Sequence, residues 1–413
     1  MKMVKTASAC LHPATAILIA FIACLALLSQ ANRAVAEDKE EGATEGRVYV
    51  MTNQATGNTV VTLKRNADGS LTRLQEVSTG GLGSGPGPLP PPFPEDIPGP
   101  DGIDSQDSLI LTDDGRFLVA VNAGSNDVSV LAVTREGMRL VDKVASGGTF
   151  PVSVAHHRDL IYVLNGGAKP GLQGGGGTPT IRGFHLDFAG KLHEIPNSTI
   201  VTGPDASGPS DAVFSPDGEM LVIAEQFTQM IDVFRVTDEG RLQSRDRFRA
   251  NNSVPLGIAF GRHHIVAITE GAGIRPRVAV PDGSTMSTYR ITEDDTLEPI
   301  SKAVPTNQSA ACWVRFTPDG HYAYTGNTGS GSVSSFTVSN KGELTLLASV
   351  AADTGGFLSV PIDLDITPNG RFLYVLAPFI GTVQGYQVEK DGSLKPVASV
   401  DGFPITIQGI VAR

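Results

Sequence analysis

Cysteine is almost missing from this chain of 413 residues, with Cys10, Cys24 and Cys312 its only three. The first two lie in a segment with a basic start (Lys2, Lys5), an apolar core from Ala14 to Leu28 broken only by Thr15, and a small-x-small ending at Ala34-Val35-Ala36. That is the pattern of a secretory signal cleaved after Ala36. We therefore expect residues 1–36 to be removed, 37–46 to form a flexible lead and 47–413 to fold. Cys24 sits near a lipoprotein-like Ile22-Ala23-Cys24, but the apolar residues run on past it, which fits a plain signal better. The mature chain then keeps one cysteine and no internal disulfide, although its secreted or periplasmic destination is oxidising.

Long apolar runs are also lacking. The signal core is shorter than the roughly 20 residues a membrane span needs, and no later segment approaches that length, so no membrane span is expected. Positive charge is scarce, at 32 Lys and Arg against 43 Asp and Glu for a net −11. Losing Lys2, Lys5 and Arg33 with the signal takes this to −14. A chain so acidic suits neither nucleic acid nor anionic lipid. Tryptophan occurs once, as Trp313, which argues against the blade-wise tryptophan motifs of a quinoprotein dehydrogenase. No Gly-x-Ser-x-Gly elbow or Ser-His-Asp order stands out. The glycine run 174–177 lacks the strand-to-helix setting of a phosphate loop. No cofactor and no metal are expected, and we expect a monomer.

What is abundant is Gly and Pro, 74 residues together, and they recur in a pattern. A turn followed by leucine ends at Leu71, Leu140, Leu192, Leu242, Leu297, Leu344 and Leu394, with intervals of 69, 52, 50, 55, 47 and 50 residues. Half a period away stand Asp113-Asp114-Gly115, Pro216-Asp217-Gly218, Pro318-Asp319-Gly320 and Pro368-Asn369-Gly370. Each is a turn signature between two short β-rich runs. Seven units of four successive strands, with no helical period, predict an all-β fold, a seven-bladed β-propeller of antiparallel sheets. The first unit begins on a second strand, Arg47-Val48-Tyr49-Val50, while Ile405 to Val411 is a spare strand. Pairing the two closes the ring and leaves no open edge.

In such a ring the loops entering each innermost strand share one face with the loops joining strands two and three. Seven residues after the turn glycine, the end of strand two reads Asn53, Asn122, Asn165, Glu225, Glu270, Asn327 and Ala377 across the blades. Asparagine there reads first as a turn cap, and Asn122 and Asn165 also as candidate ligand contacts. Glu225 and Glu270 in adjacent blades are poor turn formers. Two such carboxylates can raise one another's pKa for acid–base work or hold a cation. Seven residues before the glycine come Ser108, Asp211, Trp313 and Asp363. Trp313 reads equally as core or as a stacking platform, and Asp363 as a binding residue.

Three inserts, Gly80–Gly102, Gly166–Pro179 and Gly271–Ser284, fall on that same face, where binding concentrates on a rigid scaffold. The last carries Arg275 and Arg277, suited to a carboxylate or phosphate and equally to a solvated loop. The pairs His156-His157 and His263-His264 fall on the opposite face and read as surface turn residues, since neighbours in extended chain point apart.

Gly208-Pro209-Ser210-Asp211-Ala212-Val213-Phe214-Ser215-Pro216-Asp217-Gly218, the following Glu225, and the Asp-Gly-Ser-Leu turns resemble the lactonase family of seven-bladed propellers, which includes 6-phosphogluconolactonase and carboxymuconate lactonizing enzyme. The resemblance spans Arg47 to Arg413. It implies a glutamate at Glu225, an arginine clamp for which Arg275 or Arg277 would serve, and a histidine where this chain has Asp211. The expected function is an exported enzyme that hydrolyses or forms an ester bond in a small lactone or sugar acid, with Glu225, Asp211 and Glu270 as the catalytic group. The alternative is a non-catalytic propeller that holds a small anionic or sugar-derived ligand or a protein.

Overall fold

A computed structural model describes residues 45–88, 98–168, 177–275, 278–292, 294 and 296–413. The expected signal segment and most of the lead lie outside the described residues. Over Glu45–Arg413 the chain forms seven antiparallel sheets of four strands, with a short fifth strand, Ile200–Val201, in the third. Numbered as blades 1 to 7, their innermost strands are Ile410–Ala412, Leu109–Leu111, Pro151–His157, Pro209–Phe214, Pro255–Phe260, Ala311–Phe316 and Ile362–Ile366. Each innermost strand touches the next, and blade 7 touches blade 1, so the ring is closed. The closing pairs are Val48 with Ala412, Tyr49 with Val411 and Val50 with Ile410. The strand expected from Ile405 forms only from Ile410.

The repeated turns have a common chemistry. In blades 2, 4, 6 and 7 the turn after the innermost strand takes a left-handed glycine, Gly115, Gly218, Gly320 or Gly370, with φ between 66° and 79°. A hydroxyl three residues earlier donates to the Asp or Asn side chain between them, as Ser215 Oγ does to Asp217 at 2.6 Å and Thr367 Oγ1 to Asn369 at 2.8 Å. The leucine turns recur because the preceding blade reads them. Tyr162, Tyr324 and Tyr374 on second strands donate to the carbonyls of Gly240, Gly392 and Gly69 in the next blade, at 2.7, 2.9 and 2.8 Å.

Second strands such as Met220–Glu225 and Phe372–Ala377 are buried at every residue, because neighbouring blades cover both faces. Fourth strands such as Leu71–Ser78 alternate with solvent at the rim. No helix among the described residues is long and apolar enough to cross a membrane.

Candidate functional site

The column at the end of strand two is a set of buried clasps. Asn122 donates to Asp127 at 2.6 Å and Ser129 at 2.8 Å, and accepts from Asn58 at 3.0 Å and Thr79 at 2.7 Å. It thereby ties strand three of its blade to the chain arriving from blade 1. Asn327 repeats the pattern with Ser332 and Ser334. Asn165 is weaker, reaching the Ser146 and Val163 carbonyls only at 3.4 and 3.3 Å. Glu270 occupies the same slot in blade 5, accepting from Asn252 N, Thr285 Oγ1 and Ser287 Oγ at 3.0, 2.6 and 2.9 Å. Burial pushes its carboxyl up, against the pull of Thr285.

Glu225 fills the slot in blade 4 and carries more charge with it. It is fully buried, accepts from Thr228 Oγ1 at 2.6 Å and Ser207 Oγ at 3.3 Å, and pairs with Arg247 Nη2 at 2.6 Å. Gly203 lies so close that a side chain there would meet Glu225 Oε1. Arg247 Nε also holds Asp232 Oδ1 at 2.8 Å, and Arg245 approaches the same oxygen at 3.4 Å. Asp232 Oδ2 is buried with no hydrogen-bond partner among the described residues. Burial first, and then the Glu225 charge, push the Asp232 carboxyl up to about 6 while both arginines pull it back. Both guanidinium groups remain partly exposed. The two glutamates therefore sit in separate clasps, and the carboxylate that meets Glu225 is Asp232. Sequence reasoning missed Asp232, Arg245 and Arg247. The available signal was position: seven residues after Glu225, where blades 2 and 6 carry Ser129 and Ser334 after their asparagines, blade 4 carries an aspartate.

The axis holds a second group of charges. Asp211 Oδ2 accepts from Ile258 N at 2.8 Å and its Oδ1 from Ser153 Oγ at 3.2 Å. Burial, then Asp107, hold its carboxyl well above the usual range. Asp363 accepts from Ile410 N at 3.2 Å and Leu364 N at 2.9 Å, and burial lifts it to about 8 although Arg315 opposes. Arg315 pairs with Asp107 and, at 3.2 Å, with Asp365. Burial works against the guanidinium charge, but the two aspartates outweigh it and hold the proton more firmly than usual.

Between these residues the segment 101–107 crosses the axis. Gln106 alone bonds three blades: its N–H donates to Ser210 O at 3.0 Å, its Nε2 to Ile258 O at 2.7 Å, and its Oε1 accepts Val314 N at 3.0 Å. Trp313 is 1 % exposed and donates its indole N–H to Ser105 O at 3.2 Å. The structure thus places Trp313 in the core beneath this segment rather than as an open platform.

Of the insert residues, Arg275 ends the strand Gly273–Arg275, which pairs with Val278–Ala279. Arg277 lies outside the described residues, as do 89–97 and 169–176 of the other two inserts.

The opposite end of the axis is open. A cavity of about 710 Å³ is lined by Val213, Ile258, Phe260, Phe316, Pro216 and Pro318, with Arg262, His263 and His264 among its residues and Asp107 and Arg315 at the axis. Of the histidines expected at surface turns, His263 and His264 are exposed, while His156 and His157 end the strand Pro151–His157 half-buried; His264 Nδ1 lies 3.3 Å from Asp217 Oδ2. No cluster of three or more His, Cys, Asp or Glu among the described residues is placed to hold a metal.

Comparison with known proteins agrees with this architecture. The family described as "Lactonase, 7-bladed beta-propeller" matches residues 277–404. A candidate 6-phosphogluconolactonase of Bacteroides fragilis superposes with a TM-score of 0.63 at 18% identity, covering 89% of this chain and 98% of that one. The periplasmic gluconolactonase of Pseudomonas aeruginosa gives 0.61 at 16% identity, covering 88% and 99%. No curated protein matches the chain. With residues 277–404 similar to that family and the whole ring sharing the fold of these solved structures, the chain is a seven-bladed β-propeller that resembles the lactonases.

Proposed function

We propose that this propeller is exported and hydrolyses or forms the ester bond of a small lactone or sugar-derived acid at its insert-bearing end. One observation carries the reading. Asp232 is a buried carboxylate beside Glu225, lifted to about 6, with one oxygen lacking a hydrogen bond among the described residues. A group that exchanges its proton near neutral pH suits general acid–base work. In hydrolysis Asp232 takes a proton from water as it attacks the lactone carbonyl, and the ring oxygen leaves with that proton as the hydroxyl of the acid. Glu225 acts through Asp232 by holding its pKa up. Arg245 and Arg247, with Arg275 and Arg277 on the insert, supply cations for the ligand's carboxylate or phosphate. Asp211 and Glu270, bonded as described, act as positioning residues. The family match and the periplasmic gluconolactonase neighbour support both the reaction class and the location.

The test is a panel of sugar γ- and δ-lactones with purified protein, each followed across pH. The hydrolysis rate should rise through about pH 6 as Asp232 ionises. Asp232→Asn should abolish it, and Glu225→Gln should move the limb to lower pH by removing the neighbouring charge. Full activity in Asp232→Asn overturns the residue assignment. No turnover, together with thermal stabilisation by sugar acids, would assign the chain to ligand binding without catalysis.

A further inference from the structure

We propose that the cavity at the turn-bearing end of the axis is a second ligand site, for a small molecule that joins an apolar body to one carboxylate or phosphate. This site lies at the other end of the axis from the Glu225 clasp, with the segment 101–107 between them.

The turns around that end set the charge. In blades 2, 4, 6 and 7 each presents an Asp or Asn followed by a left-handed glycine. Blade 5 departs from this: its turn is Gly261-Arg262-His263-His264, and both histidines adopt φ of 57°. A left-handed backbone is costly for residues with a Cβ, and such outliers gather at functional sites. Two consecutive strained residues and a lost acidic side chain thus replace the turn that satisfies four other blades. What the departure supplies is positive charge on a chain of net −11.

That charge is unclaimed. Among the described residues the Arg262 guanidinium has no hydrogen-bond or ion-pair partner, although it is exposed at the cavity beside His263. The Arg262 stem is guided by its neighbour blade, since Gly320 leaves room for it and a Cβ there would lie 3.1 Å from Arg262 Cγ. A guanidinium so placed offers paired donors to a carboxylate or phosphate.

The rest of the cavity decides the ligand's other half. Its volume of about 710 Å³ is that of a small-molecule site. Phe260, Phe316, Pro216 and Pro318 give apolar walls that gain nothing from a bare inorganic ion. Arg315 at the axis is already committed to Asp107 and Asp365, so the anion belongs at the Arg262 rim and the apolar body inside.

Isothermal titration of the full chain with phenyl phosphate, benzoate, inorganic phosphate and benzyl alcohol tests this. Phenyl phosphate and benzoate should bind at least about tenfold more tightly than inorganic phosphate or benzyl alcohol, since each of those carries only half of the recognised chemistry. Arg262→Gln and Arg262→Glu, changes at an exposed side chain, should each weaken phenyl phosphate by about tenfold or more. Arg139→Gln, at an exposed arginine on the rim strand Met138–Ala145 of blade 2, should leave its affinity unchanged. Absence of phenyl phosphate binding, equal binding of inorganic phosphate, or native affinity in both Arg262 variants overturns the proposal. Lactone turnover is not the readout, so failure of the catalytic reading leaves this test intact.

Discussion

Asp211 of blade 4 accepts the backbone N–H of Ile258 in blade 5 at 2.8 Å, and Ser153 of blade 3 reaches its other oxygen. The position at which the family resemblance implies a histidine is used here to join three blades. Asp211→Ala leaves a buried N–H without an acceptor and should cost about 1–3 kcal/mol. Asp211→Asn keeps an acceptor oxygen and should cost less. Urea unfolding of the two variants checks this, and equal losses would count against the bond.

Asp363 makes stability depend on pH in an unusual direction. Burial lifts its carboxyl to about 8, against about 3.9 for an unfolded aspartate. Below about pH 4 both states hold the proton, and between there and about pH 8 only the folded chain does, so this group's contribution falls as pH rises. Asp363→Asn stays neutral throughout. Its stability relative to the native chain should therefore climb across that window and level off above it. Urea midpoints at about pH 4, 6, 8 and 9 give the comparison, and a difference that stays flat with pH would refute it.

The clasps should not be equally valuable. Asn122 is bonded to Asn58, Thr79, Asp127 and Ser129, all within 3.0 Å. Among the described residues Asn165 makes two long side-chain bonds, at 3.4 and 3.3 Å, and its Oδ1 has no partner. Asn122→Ala strands several buried groups at about 1–3 kcal/mol each, while Asn165→Ala should cost no more than about 1 kcal/mol in lost bonds. Thermal melting ranks the two, and an inverted order would show the clasp reading to be mistaken.

Ring closure rests on the pairing of Val48–Val50 with Ile410–Ala412, extended by backbone bonds between Arg47 and Arg413 and between Met51 and both Gly409 and Gln408. Removing residues 409–413 exposes the edge of Gly46–Met51, a template for pairing with other chains. The shortened chain should lose its single unfolding transition and scatter light increasingly with concentration. A monodisperse, equally stable product would mean that closure contributes little.

The ring was legible because its signals are local. Leu242 or Gly218 marks a turn whatever surrounds it, and a period near 50 residues follows from counting. Glu225 was legible as an exception in its column, but its partners were not. Arg247 reaches it from a fourth strand whose pairing slips by one residue between Phe234 and Arg235, which no period reveals. Gln106 was missed for the same reason, since a segment that leaves its sheet to bond Ser210, Ile258 and Val314 has no repeat to betray it. His263 and His264 were rightly placed in a turn. Their cavity needs Phe316 and Pro318 from the next blade, and so depends on tertiary packing.

The crossing by Gln106 has a consequence for transport. With that side chain bonded to the neighbouring walls of blades 5 and 6, its backbone to blade 4 and Trp313 to Ser105 beside it, a solute passing along the axis here has to break these bonds. The two mouths lie on opposite sides of that bridge.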